Sequence, residues 1–172
     1  MSAREDSWRF ISSVYAAPGV REACLKLQQE FDADVVLLLF AGWLASEGAA
    51  LSPDDAAAAA MLVRPWRQQA VLPLRTIRTE LKTSPAMARP EVASLRDRIK
   101  ASELAAERIE LEMLVEWAQA RARSQAAGNL VAGNLAVCLP KSAAMAVAGS
   151  EASFRALVAA CIARITAGQR SG

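Results

Sequence analysis

The segment DVVLLLFAGWLAS, residues 34–46, decides the fold. Its first residue, Asp34, is a good helix N-cap, and no charged residue interrupts the run from Val35 to Ala45. On a helix of this composition apolar side chains point in every direction, which is typical of a helix in the middle of a bundle. The run is shorter than the roughly 20 residues that cross a bilayer. It therefore predicts a buried central helix and no membrane span.

The chain before this segment predicts two more helices. The first runs from Ser7, a candidate N-cap, to Tyr15, where Pro18 and Gly19 interrupt it. The second ends near Asp32. Its apolar residues recur at spacings of four, three and four, as one face of a helix requires: Val20, Cys24, Leu27 and Phe31. Two short amphipathic helices therefore precede the central one.

Proline shapes the segment that follows. Ser52 with a proline after it is a strong start signal for a fourth helix. Pro65 and Pro73 each remove a helical hydrogen bond, so the segment 56–82 is predicted to be kinked or broken into two or three pieces. Residues 83–90 contain two further prolines and predict a loop.

One long helix is predicted near residues 91–123. A continuous stripe of small and apolar residues is expected to be its buried face: Leu95, Ile99, Ser102, Ala106, Ile109, Met113 and Trp117. The fragment AGNL then occurs at 127–130 and again at 132–135, and it opens a short helix of small residues. Ser150 is the candidate N-cap of the last helix. Residues 123–172 therefore read as a C-terminal helical pair.

These patterns together describe an all-α protein. No strand-like alternation occurs, and 53% apolar but only 5% aromatic residues leave the core to alanine, leucine, valine and isoleucine, which favours close-packed helices. The length of 172 residues is that of one domain. We predict an irregular bundle of six to eight helices that forms a single domain over 1–172.

The chain contains no histidine. This excludes triads that use imidazole, histidine-ligated zinc, haem, and di-iron sites of the Glu-x-x-His type. The glycine-rich nucleotide loops, Cys-x-x-Cys and Gly-x-Ser-x-Gly are also absent from the sequence. We therefore predict no cofactor and no catalytic residue, and an enzyme is the less favoured class.

The cysteines and the N-terminal charges bear on the compartment. Cys24, Cys138 and Cys161 are odd in number and each lies in an apolar run, which predicts buried thiols in a reducing compartment. Charges of both signs within the first eight residues are incompatible with a signal peptide. A cytoplasmic location is predicted.

The first two thirds of the chain resemble a known family. The residues that carry the likeness are Ser7-Trp8-Arg9-Phe10, Val14-Tyr15, Pro18-Gly19-Val20, Cys24-Leu25-Lys26-Leu27-Gln28, Asp34-Val35 and Trp43-Leu44, and more loosely Trp66, Leu74-Arg75, Arg78, Leu81-Lys82 and Glu103-Leu104. The family groups small proteobacterial proteins as a domain of unknown function, and about the last fifty residues lie outside the likeness. Its members often carry an asparagine where this chain has Val36. The resemblance implies a helical fold and a bacterial origin, and it names no reaction.

A basic stripe is the first candidate binding surface. Arg75, Arg78 and Lys82 lie three and four residues apart and so share one helical face, with Arg64 and Arg67 upstream. Such a stripe can bind phosphates or an acidic protein surface. Intramolecular pairing with the acidic long helix explains the same pattern. The net charge of only +2 and the few aromatic residues disfavour nucleic acid as the partner.

Three glutamates of the long helix form the second candidate site. Glu103, Glu107 and Glu110 share a face at positions i, i+4 and i+7. Converging carboxylates can bind a hard cation or act as acid and base. A solvated face, or pairing with the upstream arginines, is the favoured alternative because charge runs are usually solvated.

Aromatic residues form the third candidate set. Trp8, Phe10, Tyr15 and Trp66 are possible anchors for a partner, since Trp and Tyr dominate binding hot spots. The alternative is that they attach their helices to the core. The basic side chains next to Trp66 would then pack their apolar stems against its ring and place their charged ends in solvent.

The favoured functional hypothesis is a non-enzymatic interaction or adaptor protein that presents the segment 64–82 to a protein partner or to its own copy. The alternative is a small-ligand or metal-dependent activity where the glutamates meet the arginines, and nucleic-acid binding is a weaker third option. The first hypothesis predicts that charge reversal at Arg75 and Arg78 abolishes binding without lowering thermal stability. Loss of stability would indicate internal pairing instead.

Overall fold

The computed structural model describes residues 2–121, 130–139 and 147–169, and within these ranges the chain forms helices and no strand. Eight α-helices occur there: α1 (Ala3–Tyr15), α2 (Val20–Phe31), α3 (Val35–Ser46), α4 (Pro53–Trp66), α5 (Leu72–Thr83), α6 (Pro90–Gln119), α7 (Leu130–Cys138) and α8 (Val147–Gln169). A π-helical turn, Arg67–Val71, joins α4 to α5, and a 3-10 turn, Pro85–Ala88, joins α5 to α6. The all-α prediction is confirmed.

The central position of α3 is confirmed as well. Every residue from Val36 to Leu44 is buried, and α1, α2, α6, α7 and α8 all pack against this helix. Asp34 begins it as predicted, because its Oδ1 accepts a hydrogen bond from the Leu37 amide at 3.2 Å. None of the described helices combines the length and the apolar composition that a membrane span needs.

Gly42 allows α8 to approach α3 closely. A Cβ atom added at Gly42 would lie 2.7 Å from the Cys161 sulfur. We expect Gly42→Ala to destabilise the fold by about 1–3 kcal/mol, because the sulfur and the helix that carries it must move. Urea unfolding measures the change, and removal of the sulfur in a Cys161→Ala background should reduce the loss.

Gly133 supplies a matched control in α7. No atom of the described residues lies within 4 Å of a Cβ added there. Gly133→Ala should therefore leave stability unchanged or raise it by up to about 1 kcal/mol, since alanine is the better helix former. Equal effects of the two glycine substitutions would contradict a tight contact between α3 and α8.

The proline-rich segment changes helix type without breaking. The Leu72 amide donates to the Arg67 carbonyl five residues earlier, which is the π-helical pattern. Pro73 has no amide hydrogen and would clash with a carbonyl four residues back in a regular α-helix. The wider π turn directly before Pro73 accommodates the ring, so the predicted interruption lies between Pro65 and Pro73.

Four predicted boundaries were wrong or incomplete. The first helix begins at Ala3, because Ser2 and Glu5 form a capping box, while Ser7 is buried and donates to the Arg4 carbonyl. The last helix begins at Val147, so Ser150 lies inside it. The predicted loop 83–90 contains the 3-10 turn. The long helix α6 ends at Gln119, and residues 122 and 123 of the predicted range lie outside the described residues.

The buried face predicted for α6 was only partly right. Leu95, Ser102 and Ile109 are exposed, and Glu103 and Glu110 are buried in their place. The full buried face consists of Glu103, Ala106, Glu110, Leu111, Leu114, Val115 and Ala118. Arginines supplied by the α4–α5 region neutralise part of this acidic face, which is why it can turn inward.

The two C-terminal helices contribute to the same core as α3. Val131, Leu135, Leu157 and Cys161 belong to the cluster of buried apolar residues that includes Phe40. The buried amide of Asn134 accepts a hydrogen bond from the Leu51 amide at 2.9 Å and donates to the carbonyls of Ala41 and Ala49, at 3.3 and 2.9 Å. The three cysteines are free and buried, as predicted.

Candidate functional site

A helical hairpin extends from the bundle and is called the arm here. It comprises residues 72–102, which are α5, the 3-10 turn and the first part of α6. None of these residues is buried, whereas Val71 before them and Glu103 after them are. The main neighbours of α5 are α6 and the two turns that flank α5. The arm therefore contributes no buried residue to the core.

An ion-pair cluster joins the two helices of the arm at its base. Glu103 is at the centre, with 7% of its side chain exposed. Its Oε1 accepts hydrogen bonds from Arg75 Nε at 3.0 Å and from Arg78 Nη2 at 3.1 Å, and its Oε2 accepts from Arg78 Nε. Arg75 Nη2 also donates to Glu107 Oε1 at 2.6 Å. Two residues of each predicted face thus pair with each other: Arg75 and Arg78 with Glu103 and Glu107.

The cluster shifts the protonation equilibria of its members. Burial alone would raise the pKa of Glu103, but hydrogen bonds and charges from Arg78 and Arg75 outweigh burial and lower that pKa. The hydrogen bond to Glu103 raises the pKa of Arg78. Burial raises the pKa of Glu107, although Arg75 opposes the shift. Glu103 is therefore ionised, and its charge depends on both arginines.

A second, deeper cluster surrounds Glu110, which is fully buried. Neither of its carboxyl oxygens has a hydrogen-bond partner among the described side chains and backbone. Burial, and then the neighbouring Asp34 carboxyl, raise its pKa to about 10. Arg67 lies beside the pair, with Nε 3.4 Å from Asp34 Oδ2 and Nη2 3.5 Å from Asp32 Oδ1.

The aromatic candidates attach helices to the core. Trp66 Nε1 donates to the Ala106 carbonyl at 2.9 Å, which connects the end of α4 to α6. Phe10 is buried, and Trp8 and Tyr15 are half-buried against the core. The guanidinium of Arg108 lies 5.3 Å from the centre of the Trp8 ring, within cation–π range. The alternative that these residues serve packing is thus the one the geometry favours.

Two of the five basic candidates remain at the surface. Arg64 and Lys82 are exposed, while Arg67, Arg75 and Arg78 are partly buried and paired with carboxylates. The sequence did not suggest a role for Asp34 beyond helix capping. It also did not predict that residues 84–102 form part of a projecting hairpin. A weak signal for the hairpin was available, because proline lies at both ends of its turn.

Neither of the two main clefts on the described surface reaches the charged clusters. One, of about 400 Å³, lies between α1, α3 and α8 and is lined by Arg9, Phe10, Trp43 and Arg164 among others. The second, of about 580 Å³, is lined by Trp8 and Arg108. Across the described residues, no three cysteine or acidic side chains are placed to hold a metal ion. Of the three candidate glutamates, Glu103 and Glu107 are paired with arginines.

Comparison with known proteins gives one match. A protein-family model described as a protein of unknown function, DUF2390, matches residues 6–114, which include most of α1, all of α2 to α5 and most of α6. No curated protein and no solved structure matches the chain.

Proposed function

The chain belongs to the DUF2390 family of proteins of unknown function, and we propose that it is a non-enzymatic interaction protein of the bacterial cytoplasm that binds a protein partner through its arm. The observation that carries this proposal is the complete lack of buried residues from 72 to 102. Such a segment adds little to the hydrophobic free energy of folding, which grows with the apolar area removed from water. Its two helices are joined by the charged cluster at their base and by the hydrogen bond from Arg96 Nε to the Arg78 carbonyl, and they leave their outer faces accessible.

Apolar side chains on the outer faces favour a protein as the partner. Ile77 on α5 is 45% exposed, and Leu95 on α6 is 41% exposed. Large apolar residues with charged residues around them are typical of helical recognition surfaces. These two residues, rather than the arginines at the base, are the proposed contacts.

The charge of the arm favours an acidic partner surface. It carries seven basic residues, Arg75, Arg78, Lys82, Arg89, Arg96, Arg98 and Lys100, against three acidic ones, Glu80, Glu91 and Asp97. Arg75 and Arg78 are neutralised by Glu103 and Glu107, which leaves five against three. The remaining excess is small, so it is expected to steer association more than to supply affinity.

Leu95→Asp is expected to abolish capture of the partner by the tagged protein while leaving thermal stability unchanged, since the side chain is at the surface. Leu25→Asp is the matched control, because Leu25 on α2 is also 41% exposed. The measurement is the recovery of the same partner, identified by mass spectrometry, with wild type and both variants, followed by the dissociation constant with purified partner.

Three outcomes would overturn the proposal. Equal recovery by wild type, Leu95→Asp and Leu25→Asp would remove the arm from the interface. A dissociation constant that depends steeply on salt and is reproduced by nucleic acid alone would indicate nucleic-acid binding. A thermal shift with a divalent cation or a phosphorylated metabolite, without any partner, would favour a ligand-dependent activity. Concentration-dependent dimerisation that Leu95→Asp disrupts would identify a second copy as the partner.

A further inference from the structure

The surroundings of Glu110 lack one positive charge. Three side chains lie near one another there: Glu110 of α6, fully buried; Asp34 at the start of α3, 16% exposed; and Arg67 of the π turn, 15% exposed. Asp34 and Arg67 are in contact, and the charges of both act on the Glu110 carboxyl. They supply two carboxyl groups and one guanidinium. Glu107, the nearest other acid on α6, is already paired with Arg75, and the side chain of Asp32, at 86% exposed, is hydrated.

Asp34 is the member of the pair that has both a hydrogen-bond donor and a positive charge beside it. Its Oδ1 accepts from the Leu37 amide, and its Oδ2 lies 3.4 Å from Arg67 Nε. The positive end of the α3 dipole also favours a negative charge at this position. Glu110 has no such donor, because neither of its oxygens accepts a hydrogen bond from a described group. An ionised carboxylate left in this state would carry a large desolvation cost.

We propose that Glu110 is a neutral carboxylic acid that donates a hydrogen bond to the Asp34 carboxylate, so that this buried pair binds one proton as an integral part of the fold. The hydroxyl of Glu110 is the donor and an oxygen of Asp34 is the acceptor, and no bond to another atom is formed or broken. The shared proton joins the middle of α6 to the start of α3 and leaves Arg67 to balance Asp34. Across the charged groups that face the site, one guanidinium then meets one carboxylate, because burial and Asp34 raise the pKa of the nearby Cys138 thiol to about 12 and keep that thiol neutral.

The strongly raised pKa of Glu110, about 10 against a usual 4.5, gives the sign of the pH dependence. Below pH 4.5, the pKa of Glu110 in the unfolded chain, the proton makes its full contribution to stability. This contribution is lost progressively as the pH rises towards about 10, the pKa of Glu110 in the folded protein. Glu110→Gln keeps a hydrogen-bond donor towards Asp34 but cannot ionise. Relative to this variant, the folding equilibrium constant of wild type should fall about tenfold per pH unit within that window.

Chemical denaturation of both proteins at pH 6 and pH 8 tests the proposal, and the expected change in the ratio of their folding constants is about 100-fold. Glu107 titrates in both proteins, so its effect cancels in the ratio. A ratio that does not change with pH would show that Glu110 is ionised in the folded protein.

Infrared spectroscopy of the wild type keeps the test independent of whether the variant folds. With glutamate labelled by carbon-13, a protonated carboxyl band at pH 7 that persists in Glu107→Gln supports the proposal, because burial raises the pKa of Glu107 as well. Absence of the band would overturn it and would indicate that Arg67, whose Nη2 is buried without a hydrogen-bond partner, turns to pair with an ionised Glu110. Absence of the band together with a thermal shift on adding Mg²⁺ or Ca²⁺ would mean that a cation occupies the site instead of a proton.

Discussion

Arg75→Glu is expected to destabilise the protein by about 3–5 kcal/mol, the range seen when one partner of a buried ion pair is removed. The substitution takes a donor from Glu103 and from Glu107 and adds a third carboxylate beside them. Glu103, with 7% of its side chain exposed, cannot recover the lost interaction from water. Thermal and urea unfolding measure the loss.

Lys82→Glu is the control for Arg75→Glu. Lys82 is exposed on the same helix, so reversal of its charge should change stability by no more than about 0.5 kcal/mol. A double-mutant cycle of Arg78→Met and Glu103→Leu separates the energy of the ion pair from the cost of burying one unpaired charge. Each single substitution leaves such a charge and should lower stability strongly, whereas the double substitution replaces both partners with apolar side chains and can leave stability nearly unchanged. Arg75→Glu with wild-type stability would mean that the cluster is open in solution and that the arginines are available to a partner.

The stability of Arg75→Glu decides between two interpretations of the basic stripe, namely contact with a partner and internal pairing with glutamates. The interaction hypothesis, taken from spacing alone, placed Arg75 and Arg78 in contact with a partner and expected their reversal to spare stability. The observed pairing with Glu103 favours the internal alternative. A binding test of the arm therefore has to use outer residues such as Leu95, since substitutions at the cluster alter folding and binding together.

Local sequence signals predicted the helices well. The N-cap residues Asp34 and Ser52 and the uninterrupted apolar run of α3 each affect only residues a few positions away in the chain. Their consequences do not depend on distant packing. Sequence periodicity is sufficient for such features, which explains why the order of the elements and the central helix were both right.

The faces of α6 could not be predicted in the same way. Apolar and acidic residues alternate along α6, so the sequence offers two possible buried faces. Which face is buried depends on the side chains of the neighbouring helices. Leu95 is exposed because the first part of α6 has α5 as its main neighbour. Glu110 is buried because Asp34 and Arg67, 76 and 43 residues earlier, are positioned around it by tertiary contacts. The charge pattern of the sequence indicated that arginines and glutamates pair, but it did not show how deeply the charged side chains are buried or which residues contact each other.

The limit of the family match raises a separate question about the C-terminal helices. The match ends at residue 114, inside α6, yet the buried core continues into α7 and α8. Val131 and Leu135 of α7 and Leu157 of α8 are buried in the same cluster as Phe40. The family-like part of the chain therefore shares its core with residues outside the match.

A chain that ends at Arg121 is expected to lose cooperative folding. Burial of Val131, Leu135 and Leu157 is worth about 1.5–3 kcal/mol each, and their sum approaches the whole net stability of a typical domain, about 5–15 kcal/mol. The truncation also uncovers α2 and the Gly42 face of α3, against which α8 packs. Leu157→Ala in the full chain is the control, and it should lower stability by about 2–5 kcal/mol while unfolding remains cooperative. Circular dichroism and dye binding distinguish the two results. A truncated chain with a sharp transition near that of the full protein would show that residues 1–121 form an independent domain, which α7 and α8 only cover.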